Sequence, residues 1–308
     1  MGCASHVLRR RHGNAADAAL CRASNEVGGA LDGRIWLITL AGGLLYLTFK
    51  HVLEEHLYGF AALVLCVHVV PVAGLEFWVR RRHAAAYQRH RELAVTLGIT
   101  STLFWAPVMV LQLNNHFAPH RGSSLSLAIF ILNTGTLWLG VFAAHACLPL
   151  RWARVAVPAM ALLPLWHHGS MCGKVLEAPD VAEPLGTLCD MLSLAHGVAV
   201  TTGGPDCGHF TPLQQCRTFY LWSLAWGGVA LPLLASARFE AQLRRRLGQR
   251  GGAQQAQQEG QEGQQQGGES GTLQTALLAY LYSMAAWVLA CSVEALVRPA
   301  LGWRDLAA

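Results

Sequence analysis

The sequence predicts an all-α membrane protein: a polytopic helical bundle of about seven transmembrane helices with its N-terminus in the cytoplasm. Three observations carry this. The 308 residues are 53% hydrophobic and only 13% charged, where soluble domains carry about 25% charged residues. The apolar residues gather in runs of about 20, the length a helix needs to cross a hydrocarbon core about 30 Å thick. Basic clusters stand directly beside those runs, as they do at cytoplasmic membrane faces. The net charge of +5 comes without interleaved aromatics, which argues against nucleic acid as a partner and leaves the lipid bilayer as the expected one.

Residues 1–33 read as a polar basic tail, expected to be disordered, with Arg9, Arg10, Arg11 and Arg22 against Asp17 and Glu26. Two other readings stay open. Gly2 and Cys3 suit dual acylation, although His6 stands where the myristoylation pattern has Ser or Thr. An arginine- and alanine-rich, acid-poor start also suits an organellar transit peptide. The membrane is therefore expected to be plasma or endomembrane, with an organellar one as the alternative.

The transmembrane bundle is read over residues 34–247, with the last span in 272–308. The first span runs from Ile35 to about Leu53, and the second from Leu57 to Val79. The second meets Arg80, Arg81, Arg82 and then Arg89 and Arg91, and these arginines set the orientation. The third, Leu93 to Leu113, tolerates Pro107 where neighbours satisfy the freed carbonyl. The fourth is Leu125 to Leu148, the sixth Thr218 to Ala237 and the last Leu273 to Val297.

Two weak candidates lie between, Trp152 to His168 and Leu185 to Thr201. If the runs at Arg80–Arg91 and Arg238–Arg250 share the cytoplasm, one of the two crosses. Trp152 to His168 is preferred, because Asp190 near a bilayer centre costs about 2.5–3.5 kcal/mol. Leu185 to Thr201 then becomes an amphipathic helix with Leu185, Leu188, Leu192 and Ala195 along one face. In this topology 17 Lys and Arg lie inside and 6 outside. Residues 248–271, with nine Gln and eight Gly and no aromatic, read as a flexible cytoplasmic linker.

The same orientation collects Cys172, Cys189, Cys207 and Cys216 in an outside loop, 169–217. An even set of cysteines on the oxidising face predicts disulfides, with three connectivities open and Cys207–Cys216 the favoured pair. Intramembrane polar groups include Glu76, Ser223, Ser283 and Glu294, the two acids being expected to pair with Arg80 and Arg298 four residues on. Asn133, Thr134 and Thr136 form the best candidate for a polar lining or an interhelical hydrogen bond.

The groups HVLEEH, HFAPH and HH, which contain His51, Glu55, His56, His116, His120, His167 and His168, bear a superficial resemblance to the histidine boxes of membrane desaturases and hydroxylases. That resemblance implies bound iron, with His51, Glu55, His116, His120, His167 and His168 as ligands. The spacing departs from it: His51 and His56 fall on different helix faces, and Pro119 disfavours a helix joining His116 to His120. Haem between His68 and His145 is disfavoured by roughly 13 Å of depth mismatch. No Walker loop, nucleophile elbow, HExxH or kinase signature occurs. The expectation is a receptor-like, scaffold or transport protein with no catalysis or cofactor of its own, engaging a protein partner through its cytoplasmic basic segments or linker. The alternative is a histidine-dependent membrane metalloenzyme with its site on the non-cytoplasmic face.

Overall fold

The computed structural model describes residues 20, 22–29, 32, 59, 62, 66, 70, 74, 80–113, 128, 131, 136–177, 181–196, 207–256 and 270–297. Every element among them is helical. A three-residue turn, Arg80–Arg82, leads into α1, Ala84–Leu113, followed by α2, Thr136–His145, and α3, Leu150–Leu176. Then come α4, Ala182–Ala195, and α5, Pro212–Ser223, which a π-helical stretch, Leu224–Ala230, joins to α6, Leu231–Ala256. The last is α7, Ser270–Ser292, ending in a second π-helical turn, Val293–Val297. The expected spans 35–53 and 57–79 lie outside the described residues except for isolated positions.

Two helical stretches are long and apolar enough to cross a membrane, Pro212–Leu247 and Thr275–Ala295. Neither is a buried core helix, since 39% and 22% of their apolar windows lie inside the protein. At 1.5 Å per residue, α3 with its 27 residues is about 40 Å long and α4 with its 14 about 21 Å. α6 carries residues 248–256 of the Gln- and Gly-rich segment as continuing helix; residues 257–269 lie outside the described ones.

The chain forms two compact units. The first comprises residues 1–105, 141–156 and 235–262, and the second 106–140, 157–234 and 263–308. Charge divides unevenly between them. The first unit's segments carry 18 of the 23 Lys and Arg and 10 of the 18 Asp and Glu, a net +8; the second carries 5 and 8, a net −3.

In the first unit, α1 buries one stripe at four-residue spacing, Tyr87, Arg91, Val95, Ile99 and Leu103, all at 3% exposure or less. Residues four apart lie on one helix face, so an arginine in that series is carried inside with its neighbours. Arg91 therefore does not reach water. Its Nε and Nη2 donate to the two carboxylate oxygens of Asp32 at 2.7 and 2.8 Å, and Nη2 donates also to the Ala146 carbonyl. Tyr87 Oη donates to Asp32 as well, at 2.9 Å. A two-pronged guanidinium–carboxylate pair of this kind is the geometry that makes burial of both charges tolerable.

The segment around Asp32 corrects the expectation of a disordered tail for its last part. Residues 22–29 are helical, and Ser24, Asn25 and Asp32 are buried. Ser24 Oγ donates to the Cys147 carbonyl, and Asn25 Nδ2 donates to the Gln88 carbonyl at 3.1 Å. Gly28 sits against the Arg91 guanidinium so closely that a Cβ there would collide with it. Polar composition suggested solvation; what it supplies is the counter-charge for Arg91. Elsewhere in this unit Trp152 Nε1 donates to Thr96 Oγ1 at 2.9 Å. Glu240 accepts from the Leu150 amide at 3.1 Å and from Arg244, four residues on. Its carboxylate thereby caps the first turn of α3.

In the second unit, α4 turns a different face inward from the one expected. Leu185, Cys189, Ser193 and the following His196 are buried, Leu188 and Leu192 are half-buried, and Ala195 is exposed. The inner face includes Cys189, which is disulfide-bonded to Cys207, while Leu194, at 76% exposure, faces out.

Removing one end of the Asp32–Arg91 pair strands a charge with no exposed surface. Asp32→Ala is expected to lower the unfolding free energy by about 3–5 kcal/mol, and Asp32→Leu with Arg91→Met to recover most of it. Thermal unfolding of the full chain in mild detergent measures both, and an Asp32→Ala protein melting with the parent would contradict the pairing.

Candidate functional site

The best-formed side-chain constellation lies in the second unit, where α4, α5 and α7 meet. α5 starts at a Thr211-Pro-Leu-Gln214 capping box: Thr211 Oγ1 accepts from the Gln214 amide, the Gln214 side chain accepts from the Thr211 amide, and Pro212 opens the helix. This anchors the start of the helix that carries Cys216, Tyr220, Trp222 and Ser223.

Two disulfides tie these elements. Cys172 on α3 pairs with Cys216 on α5, and Cys189 on α4 pairs with Cys207 in the turn before α5. The favoured Cys207–Cys216 pair is thus corrected, each of its cysteines having another partner. A local bond would only have closed nine residues of turn. The observed ones close 44 and 18, worth about 4 and about 3 kcal/mol in the chain-entropy view. Cys189 and Cys207 pack with Trp287 and Cys291 of α7 into one buried cluster, edged by Leu192, Phe210 and Trp222.

Next to that cluster His196 closes α4 inside an aromatic box. Its ring lies 5.9 Å from Trp287 and 6.3 Å from Tyr280, nearly parallel to both, and edge-on to Trp222 at 5.9 Å. Tyr280 and Trp287 are seven residues apart on α7, two turns of one face. The hydrogen bonds have a single consistent direction. The Leu192 carbonyl, 2.7 Å from His196 Nδ1, can only accept, so Nδ1 carries the hydrogen. In the neutral ring Nε2 then accepts from Ser283 Oγ at 2.8 Å, and Ser283 accepts from Trp222 Nε1 at 3.3 Å. A hydroxyl against an imidazole is also the start of a nucleophile–base pair. Here both are buried and the serine is committed to Trp222, so the chain of bonds joins α4, α5 and α7.

A second polar seam joins α2 to the α5–π junction. Thr136 Oγ1 and Ser223 Oγ are 3.5 Å apart and buried. Ser223 already donates to the Tyr220 carbonyl at 2.8 Å, which makes Thr136 the donor between them. Four residues on from each, Gly140 and Gly227 meet so closely that a Cβ on Gly140 would lie 2.5 Å from the Gly227 carbonyl oxygen. Small residues four apart on both helices, Thr136 with Gly140 and Ser223 with Gly227, let the backbones approach. That spacing is legible in the sequence and is the signal that finds the crossing. Tyr220 Oη donates to the Pro164 carbonyl at 2.9 Å, fastening α5 to α3 beside the proline. Arg217 and Glu294 are buried in the same unit.

Of the residues singled out from sequence, the four cysteines are brought together and Thr136 is found in an interhelical hydrogen bond. Asn133 and Thr134 lie outside the described residues, as do His51, Glu55, His116 and His120. His167 and His168 fall on the backbone of α3, with their side chains undescribed. Among the described residues no three His, Cys, Asp or Glu side chains converge as a metal site would require. His196, within the candidate segment Leu185 to Thr201, is 5% exposed. Nothing in its own flanking sequence announced the box, since its partners come from 26 and 84 or more residues away.

Peptide mapping of the unreduced full chain is expected to find Cys172 joined to Cys216 and Cys189 to Cys207. Ser283→Ala strands His196 Nε2 and Trp222 Nε1 in a buried place, and a loss of about 1–3 kcal/mol is expected in thermal unfolding. A Cys207–Cys216 peptide, or an unchanged melt for Ser283→Ala, would contradict this site. No family model, curated protein or solved structure matches this chain, so its role is argued from these residues.

Proposed function

We propose that the chain is a multi-pass integral membrane protein of about seven transmembrane helices, cytoplasmic at its N-terminus, that acts as a receptor-like or scaffolding component without catalysis of its own. The observation that carries the reading is the apolar exterior of its helices. Trp166 is 85% exposed, Val155 71% and Leu162 63%, all on one side of α3, and Leu277, Leu281 and Leu289 are similarly exposed on α7. A soluble protein rarely leaves such stripes to water, whereas hydrocarbon is their matching solvent.

Two further features support it. The first unit carries the basic excess that favours a cytoplasmic face. The second carries two disulfides, which persist in oxidising compartments. A chain with both properties has parts in two compartments, and that requires crossing a membrane. A binding role is favoured over an enzymatic one because Ser283, the one hydroxyl seen against an imidazole among the described residues, is engaged by Trp222 as well as His196. Transport is the weaker member of the set, since Thr136 of the expected polar lining is used in a helix crossing.

Single-cysteine variants in sealed vesicles test the topology, with Cys3, Cys21, Cys66, Cys147 and Cys291 replaced by Ser. An impermeant maleimide is expected to reach Arg81→Cys and Arg245→Cys from one side of the membrane and Glu183→Cys from the other. Labelling of positions 81 and 245 from opposite sides would overturn the orientation.

A further inference from the structure

A cavity of about 320 Å³ opens in the first unit, within the size range of small-molecule sites. Its lining combines apolar groups, among them Pro149, Phe239 and Leu243, with Arg151, Arg154 and Arg244. Glu240 is the single carboxylate in the lining. Both its oxygens are engaged, Oε2 with the Leu150 amide and Oε1 with Arg244. Three guanidinium groups against one carboxylate leave the lining with a net +2.

We propose that this cavity binds a phosphate monoester, the group shared by phosphatidic acid and soluble phosphorylated metabolites. Two properties select that chemistry. A phosphate monoester carries −1.5 to −2 near neutral pH, matching the +2 of the lining, whereas a single carboxylate carries −1. Planar guanidinium forks match tetrahedral phosphate oxygens in geometry as well as charge. The apolar groups of the lining then accommodate the carbon skeleton attached to the phosphate. Basic pockets between helices at the cytoplasmic side of a membrane hold lipid headgroups by the same means. The proposal rests on the membrane reading above only for which leaflet would supply a lipid.

The test is calorimetric titration of the full chain, purified in an uncharged detergent, with dioctanoyl phosphatidic acid and separately with glycerol 3-phosphate. Saturable binding of at least one is expected. Arg154→Gln, at an exposed position on α3, should weaken it about tenfold or more. Arg154→Lys, which keeps the charge and loses the fork, should fall between. Arg245→Gln, exposed and outside the lining, should change it less than twofold. Phosphatidic acid binding ten times tighter than glycerol 3-phosphate assigns the site to a lipid, and equal affinities assign it to a soluble phosphate. No saturable binding of either, or equal weakening by Arg154→Gln and Arg245→Gln, overturns the site in favour of diffuse attraction. Orientation in a membrane does not enter a detergent titration, so this result and the vesicle labelling fail independently.

Discussion

These helices place apolar residues on their outer faces as well as their inner ones, so hydrophobicity alone does not select the face that packs. On α1, Leu93, Leu97 and Phe104 are about half exposed while Val95, Ile99 and Leu103 are buried. On the proposed membrane reading, leucine against lipid and leucine against leucine differ little in free energy, and hydrogen bonds, close backbone approach and covalent links then decide the register. The structure uses all three. Arg91 on the inner face of α1 binds Asp32, Gly140 and Gly227 meet where α2 crosses the α5–π junction, and Cys189 on the inner face of α4 is bonded to Cys207.

This explains which features could be read from the sequence. Helix class and the two stretches long and apolar enough to cross a membrane, which overlap the expected sixth and last spans, follow from run length and composition. The four cysteines could be grouped because the preferred crossing by Trp152 to His168 puts them in one loop, and Cys207 and Cys216 stay together whichever of the two candidates crosses. Their pairing could not, because proximity along the chain favours Cys207–Cys216 while the packing of α3 and α4 on α5 brings Cys172 and Cys189 closer. Thr136 stood out as a hydroxyl in an apolar run, and its partner Ser223 was visible for the same reason. The burial of His196 and Asp32 is not legible locally. Their burial depends on Trp222, Ser283 and Trp287 in one case and on Tyr87 and Arg91 in the other.

The two interior ionic and polar centres differ in how they meet the penalty of burial. Asp32 and Arg91 are a charged pair whose mutual attraction, plus the Tyr87 hydroxyl and the Ala146 carbonyl, offsets loss of water. The His196 centre is a series of hydrogen bonds, Trp222 to Ser283 to His196 to the Leu192 carbonyl, with no carboxylate among its members.

Arg91 also bears on the orientation argument, because an arginine fully enclosed by protein cannot report on which side of a membrane it lies. Arg80, Arg81 and Arg82, in the same basic stretch, are not buried. The signal that counts is therefore the solvated cluster and not the whole run. Arg217, counted outside, is 6% exposed and drops out for the same reason. Removing both turns 17 against 6 into 16 against 5, and the bias keeps its direction and nearly its ratio. The rule has physical force only for arginines that water reaches, and among the described residues Arg80, Arg81 and Arg82 meet that condition.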